Sequence, residues 1–231
     1  MPNHGKKYKK AHEAISTEQI SVEKAVESVK DLAYAGFDES VDISVNLSID
    51  PTKGDQVVRG SVLLPHGRGE NVKVLVFAKG EYADQAQEAG ADYVGADDLI
   101  DKIKGGWMDF DYAVATPDVM GLVGKLAKIL GPRGLLPNKK VGTVTFDVGR
   151  IVSELKKGRA FFKNDKGGSV HFSFGKVSFD KGKLLDNLKA FLKALVAAKP
   201  ASAKGKYLKK LTISSTMGVG LQVNPEEFLR Q

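Results

Sequence analysis

Two strand patterns share this chain, and one is enclosed by the other. VDISVNLSI (41–49) alternates strictly, with Val41, Ile43, Val45, Leu47 and Ile49 on one side and polar residues on the other. That alternation marks a strand with one face on a core and the other in water. VKVLVFA (72–78) is instead a continuous apolar run, as found where both faces of a strand are covered. After it, strand-like and helix-like stretches alternate, the pattern of a parallel sheet with crossover helices. At Gly158 the first pattern returns in RAFFK and SVHFSFGKVSF. Two or three domains in series would be the plainer reading, but the terminal parts alone are each thin for an independent core. The expectation is an α/β chain of two domains. A split antiparallel α+β domain (1–67 and 159–231) is interrupted by a parallel, Rossmann-like α/β insert (68–158).

The elements follow from local pattern. Val22, Ala25, Val26, Val29 and Ala33 recur at helical spacing, with Ser21 placed to cap the start and Gly36 to end the last turn. Pro51 and Gly54 turn the chain, and VVRGSVLLP predicts an antiparallel return. Within the insert, helices are expected over 81–89, 97–104, 119–130 and 151–157, and strands at ADYVG and DYAVATP. In the last third, NDKGG joins two strands. A helix with Leu184, Leu188, Phe191, Leu192 and Leu195 on one face ends before Pro200, and a final strand follows. Pro65, Gly67 and Gly69 at one crossing and Gly158 at the other give the backbone freedom for a hinge.

Several chemistries are excluded. No cysteine is present, so there is no disulfide and no thiolate site, which fits a reducing cytoplasm. The four histidines are scattered, and no apolar run is long enough to span a membrane. GLVGKLAKILG fails as a phosphate-binding loop, because Val119 and Leu126 stand where glycine and Ser/Thr are needed. FAKGEYADQ lacks a dinucleotide fingerprint. Asp97, Asp98 and Asp101 read as a solvated helix face. KGRAFFKN (157–164) departs from an RNA-recognition signature where stacking aromatics belong, at Arg159 and Asn164. No cofactor is expected, and an enzyme using the insert as a small-molecule site is disfavoured.

The net charge of +7 is unevenly placed. Residues 159–231 hold 14 basic and 5 acidic side chains, whereas 68–158 hold 13 of each. An anionic partner is therefore expected at the C-terminal third. In SVHFSFGK, Val170, Phe172 and Phe174 point one way while His171 and Ser173 point the other, flanked by Lys163, Asn164, Lys166 and Lys176. Either this is a lysine-rich sheet edge that discourages aggregation, or it offers hydrogen bonds to phosphate and ribose. LTISSTMGVGLQV (211–223) raises the same choice. Hydroxyls of Ser214, Ser215 and Thr216 suit a ribose 2′-OH, Gly218 allows close approach, and Met217 can pack on a sugar or base. The alternative is a β-bulge with a buried Met217.

Longer motifs carry a resemblance. FDESVDISVNLSIDP (37–51), VRGSVLLPHGRG (58–69), WMDFDYAVATPDVMG (107–121), ILGPRGLLPNKKVGTVT (129–145), GRAFFKNDKGGSVHFSFGK (158–176) and STMGVG resemble, in order and spacing, the bacterial ribosomal protein L-one family. The resemblance covers essentially the whole chain. It implies a non-catalytic, cytoplasmic constituent of the large ribosomal subunit. Such a protein binds large-subunit rRNA in the mobile stalk on the tRNA-exit side, among other ribosomal components. No homodimer signal is visible in the sequence, so a monomer off the ribosome is expected. The resemblance implies rRNA contacts at Phe37, Ser40, Lys163, Asn164, Lys166, His171, Thr216, Met217 and Gly218, to which the strand patterns add Lys176 and Ser214 as expected contacts. Ser40 stands where the family often has threonine, Val219 where many members have proline, and Lys140 replaces a usual proline. Residues 119–142 carry Lys125, Lys128, Arg133, Lys139 and Lys140 and no acid. The resemblance makes deacylated exit-site tRNA the expected partner of Arg133, Lys139 and Lys140. It makes the protein's own mRNA a second expected ligand of the rRNA surface, as a repressor target.

Overall fold

The computed structural model describes residues 5–15, 19–203 and 205–225. The chain folds as two compact units, Met1–Gly69 with Ala160–Gln231, and Glu70–Arg159. The crossings thus fall at 69/70 and 159/160, against the 67/68 and 158/159 expected from the sequence. Packing accounts for the first difference: a Cβ on Gly69 (φ 75°) would lie 3.0 Å from the Phe179 ring and 3.1 Å from Lys176 Cγ.

In chain order, α1 (Lys6–Glu13) and α2 (Val22–Asp31) lead into β1 (Ser40–Leu47) and β2 (Arg59–Leu63). The second unit contains β3 (Val74–Phe77), α3 (Glu81–Glu88), β4 (Tyr93–Gly95), α4 (Asp97–Lys104) and β5 (Tyr112–Ala115). It continues through α5 (Met120–Val123) and α6 (Ala127–Leu130) to α7 (Val148–Lys156). The chain then returns through β6 (Arg159–Lys163), β7 (Ser169–Lys176), α8 (Lys181–Ala197), β8 (Leu208–Ser215) and β9 (Leu221–Val223).

The first unit is built on a four-stranded sheet of order β7-β1-β8-β9, antiparallel throughout. The alternation in 41–49 becomes a strict burial alternation along β1, whose inward residues Val41, Ile43, Val45 and Leu47 are all buried. Helices α2 and α8 pack on that inner face and on each other. Phe191 of α8 stacks on Phe172 at 4.3 Å and meets Phe162 of β6 edge-on at 5.6 Å. One ring therefore binds the main sheet to the two-stranded sheet β2-β6.

Three expectations are corrected. The segment 58–64 does not return against β1. Both edges of β1 are taken by β7 and β8, so β2 pairs with β6, which the chain reaches only after the insert. The helix expected over 119–130 is broken into α5 and α6, joined and preceded by 3-10 turns at Gly124–Leu126 and Pro117–Val119. Gly121 and Gly124 weaken a regular helix here, while Val123, Leu126 and Leu130 stay buried at helical spacing. Finally, α2 ends at Asp31 with Leu32 as its C-cap, four residues short of Gly36.

The second unit holds a parallel sheet of order β4-β3-β5. All four residues of β3 are buried. Leu75 and Phe77 join a core with Leu99, Ile103, Val123, Leu126 and Leu130, while α7 packs on β3, β5 and α3.

Phe191 gives the test of this architecture. Phe191→Ala should destabilise the protein by about 3–5 kcal/mol, seen as a lower urea midpoint of the far-ultraviolet circular dichroism signal.

Candidate nucleic-acid interface

Because β1 is half-wet, the outer face of its sheet is a continuous polar surface. Its cross-strand neighbours follow from register: His171, Ser44 and Thr212 lie side by side on β7, β1 and β8, and Gln222 of β9 pairs with Thr212. Ser173, Asp42 and Ser214 form the next row, and Asn46 stands opposite Lys210. All are exposed or half-buried, while their neighbours along each strand are buried, apart from exposed Lys209 beside Lys210. Of these, the sequence singles out His171, Ser173 and Ser214. It does not single out Asp42, Ser44, Asn46, Lys210, Thr212 and Gln222, although the alternation of 41–49 places three of them on the wet side.

At one end of this face, two loops are fastened together by Glu39. The Glu39 side chain is 1% exposed. Its Oε1 accepts the N–H groups of Tyr34 (3.1 Å) and Ala35 (2.8 Å), and its Oε2 accepts that of Met217 (3.0 Å). Burial pushes the carboxyl up, but hydrogen bonds from the Ser215 hydroxyl and from the Met217, Ala35 and Tyr34 amides outweigh it and hold the group below its ordinary value. The Tyr34 hydroxyl donates to the Met217 carbonyl at 2.6 Å. Ser40 and Thr216 close the other flank, with Ser40 N–H donating to Thr216 Oγ1 (2.9 Å) and Thr216 N–H to the Ser40 carbonyl (3.1 Å). Met217, fixed through its backbone, leaves its side chain 52% exposed, and Phe37 is 57% exposed on the other loop.

These positions decide between the two readings of Met217 and give two neighbours internal roles. Met217 is not the buried filling of a bulge. Ser215 points inward, so its hydroxyl serves Glu39 rather than a ligand. Gly218 is required inside the protein: a Cβ there would stand 2.3 Å from Ser215 Oγ. Its amide also donates to the Ser215 carbonyl (3.2 Å).

Cationic groups border the sheet at both ends, Lys176 beside Ser40 and the β6–β7 turn beyond Asn46, where Ser169 pairs. Lys176 Nζ donates to Ser40 Oγ at 2.8 Å, which brings the amine to the start of β1. The β6–β7 turn is held by Asp165, whose Oδ1 accepts the N–H groups of Gly167 and Ser169, both at 2.8 Å. Hydrogen bonds from the Ser169 backbone lead the effects that hold this carboxyl below its usual range. Lys163 and Lys166 are exposed beside that turn, and His171 faces Asp165 at 3.5 Å. Asn164 does not belong to this set. Its side chain is buried, with Oδ1 accepting from Val58 N–H (2.9 Å) and Nδ2 donating to the Asp165 carbonyl (2.9 Å).

The crossing residues are likewise sorted by their bonds. Buried Asn187 of α8 accepts from His66 N–H (3.1 Å) and donates to the carbonyls of Gly67 and Phe174, both at 2.8 Å. The Pro65–Gly67 turn is therefore stapled within its own unit. Gly69 and Gly158 retain positive φ (75° and 110°) at the crossings themselves.

In the second unit, Lys125, Lys128, Arg133 and Lys139 are exposed. The loop carrying Lys139 is closed by Asn138 and Thr143: Asn138 N–H donates to Thr143 Oγ1 (2.8 Å), and Thr143 N–H to the Asn138 carbonyl (3.2 Å). It is then tied to the edge of β5 through Ala115. The side chain of Lys140 lies outside the described residues.

A polar sheet face with fixed apolar residues and cations at its rim is suited to contact with a large hydrogen-bonding surface. Residues 29–219 match the Ribosomal protein L1p/L10e family. The chain is also 52% identical over 225 residues to the large ribosomal subunit protein uL1 of Maridesulfovibrio salexigens, a match that covers 97% of this chain and 96% of that protein. The chain belongs to the Ribosomal protein L1p/L10e family.

The packing of Gly218 on Ser215 predicts a coupled pair. Gly218→Ala should cost about 1–3 kcal/mol by overpacking, and Ser215→Ala about 1–3 kcal/mol by unpairing Glu39. In the double variant the clash is gone. Its cost, measured by urea unfolding, should fall well below the sum of the two.

Proposed function

We propose that this protein is a constituent of the large ribosomal subunit that binds large-subunit rRNA through the polar face and rim of its first unit. Family membership and the name of the similar protein support the ribosomal assignment. The observation that carries the location is the pair of exposed apolar side chains, Phe37 and Met217, set by buried bonds at the edge of a hydrogen-bonding sheet. Single-stranded or splayed RNA offers what such a surface takes: 2′-hydroxyls and base edges for serine, threonine and histidine, and sugar or base faces for Met217 and Phe37. Lys163, Lys166 and Lys176 then hold the phosphate backbone without reading it.

On this reading the RNA-bound first unit anchors the protein in the mobile stalk, and Gly69 and Gly158 are the positions that permit movement of the second. The exposed Lys125, Lys128, Arg133 and Lys139 form the surface for deacylated tRNA at the exit side. An mRNA that copies the rRNA fold would occupy the same rim, so the protein represses its own synthesis by competition for one site. A cytoplasmic location follows from the ribosomal role.

Competition binding to a folded stalk fragment of large-subunit rRNA tests the reading. Wild type should prefer the fragment over unrelated RNA. Met217→Ala and Thr216→Val should each lose roughly 1–3 kcal/mol of that preference with an unchanged salt slope. Normal binding by both variants would remove the rim from the site and leave only the charged turn. Separately, Arg133→Gln with Lys139→Gln and Lys140→Gln should slow release of deacylated tRNA from ribosomes while leaving rRNA binding intact. Unchanged release kinetics would remove the tRNA role from this loop.

A further inference from the structure

We infer that Glu39 is a positioning residue for RNA recognition: it touches no RNA and sets the conformation in which Phe37 and Met217 are presented. The inference rests on the proposed reading that this rim holds rRNA.

A carboxylate 1% exposed cannot reach a ligand, and burying it is costly unless its oxygens are well supplied with donors. Here the donors come from two separate stretches of chain. Tyr34 and Ala35 lie before Glu39 on one loop, and Ser215 and Met217 lie at the end of β8 on the other. The bonds to residues 34 and 35 close the backbone around Phe37, so the same group that fixes Met217 also fixes the shape of the Phe37 loop. Both polar groups of the Met217 backbone are engaged, the N–H by Glu39 and the carbonyl by the Tyr34 hydroxyl. Met217 therefore keeps only side-chain freedom. Ordering this loop before binding removes a cost that RNA would otherwise have to meet.

The chemistry of the carboxylate is specific to this task. All four partners of Glu39 are donors, so an acceptor is required at both oxygens. A glutamine of the same shape can still accept from Tyr34 and Ala35. Its amide group would then face the Met217 N–H, donor against donor, and the loop would be released at that end only.

The experiment uses full-length wild type, Glu39→Gln, Tyr34→Phe and Met217→Ala, with the first two substitutions also combined with Met217→Ala. Binding to the folded stalk fragment is measured beside the methionine-methyl NMR spectrum of the free proteins, where Met217→Ala identifies the Met217 signal. Glu39→Gln should weaken binding roughly tenfold, as loss of a hydrogen bond to a charged group implies. The same substitution should have little further effect once Met217 is alanine, and it should shift or broaden the Met217 methyl signal without altering those of Met108 and Met120. Tyr34→Phe, which removes one exposed hydroxyl, should act in the same direction more weakly. It decides the matter if Glu39→Gln fails to fold.

Wild-type affinity in Glu39→Gln would overturn the inference. A loss undiminished in the Met217→Ala background with an unmoved Met217 signal would also overturn it, since Glu39 would then act on stability alone. If wild type shows no preference for the stalk fragment, or Met217→Ala binds normally, the reading of the rim itself fails and this inference falls with it. The binding of wild type and Met217→Ala alone separates that outcome from the others.

Discussion

Everything in the first unit depends on β1 being an interior strand. Its eight residues, Ser40–Leu47, pair on one edge with β7 and on the other with β8. Both neighbours come from beyond the second unit, so the N-terminal segment cannot complete its sheet until the chain has passed through Glu70–Arg159 and returned. The same is true of β2, whose partner is β6. The split is therefore a requirement of hydrogen bonding: without the returning strands, β1 would leave two rows of backbone donors and acceptors unpaired. A central strand with one wet face also places its polar residues in the middle of the exposed surface, flanked by polar residues from both sides.

The end of that strand is where, on the proposed reading, recognition and stability meet. The Glu39 carbonyl accepts from Val177 N–H at 2.9 Å, its carboxylate holds the loops bearing Tyr34 and Met217, and Asp38 accepts from the Ser178 N–H and hydroxyl. Three consecutive residues, Asp38 to Ser40, thus fasten β1 to chain segments on both sides. Such a junction lets side chains at its tip stay exposed without being loose. The exposure of Phe37 and Met217 is unfavourable for the isolated protein, since both leave apolar area in water. It makes physical sense when those side chains are covered by something else.

Sequence pattern carries most of the architecture, because one core imposes alternation on β1 and β7, while cover on both faces imposes the continuous apolar run of β3. It could not tell which strands pair. The segment 58–64 looked like the return leg of a hairpin, yet the edge it needed was filled by residues more than a hundred positions later. The candidate site was legible where it is exposed and illegible where it is buried. Met217, Thr216, Lys163, Lys166 and His171 announce themselves by type. Glu39 sits between Asp38 and Ser40 in a polar run, and nothing local distinguishes it from a solvated acid. Asn164 misled for the converse reason: a polar residue in a turn reads as exposed, but the end of β6 needed an amide to satisfy Val58. Gly218 was noticed for the right property, the missing Cβ, while the atom that requires it is Ser215 Oγ rather than a ligand.

Charge completes the division of labour. The C-terminal third carries the excess lysine, yet the centre of the polar face is mostly neutral, built of Ser44, Ser173, Thr212 and Ser214 around Asp42. Phosphate laid across that centre would meet a carboxylate, which is repulsive. Groups that donate, such as a 2′-OH or an exocyclic amine, are the ones the centre can accept. Lysines at the rim can hold phosphates there without dictating which RNA lies between them. On the proposed reading, the strength of attraction and the selectivity of this surface are set by different residues. Salt weakens the first, whereas the second depends on how rigidly β1 and its Glu39 junction keep the neutral centre and its two apolar flanks in place.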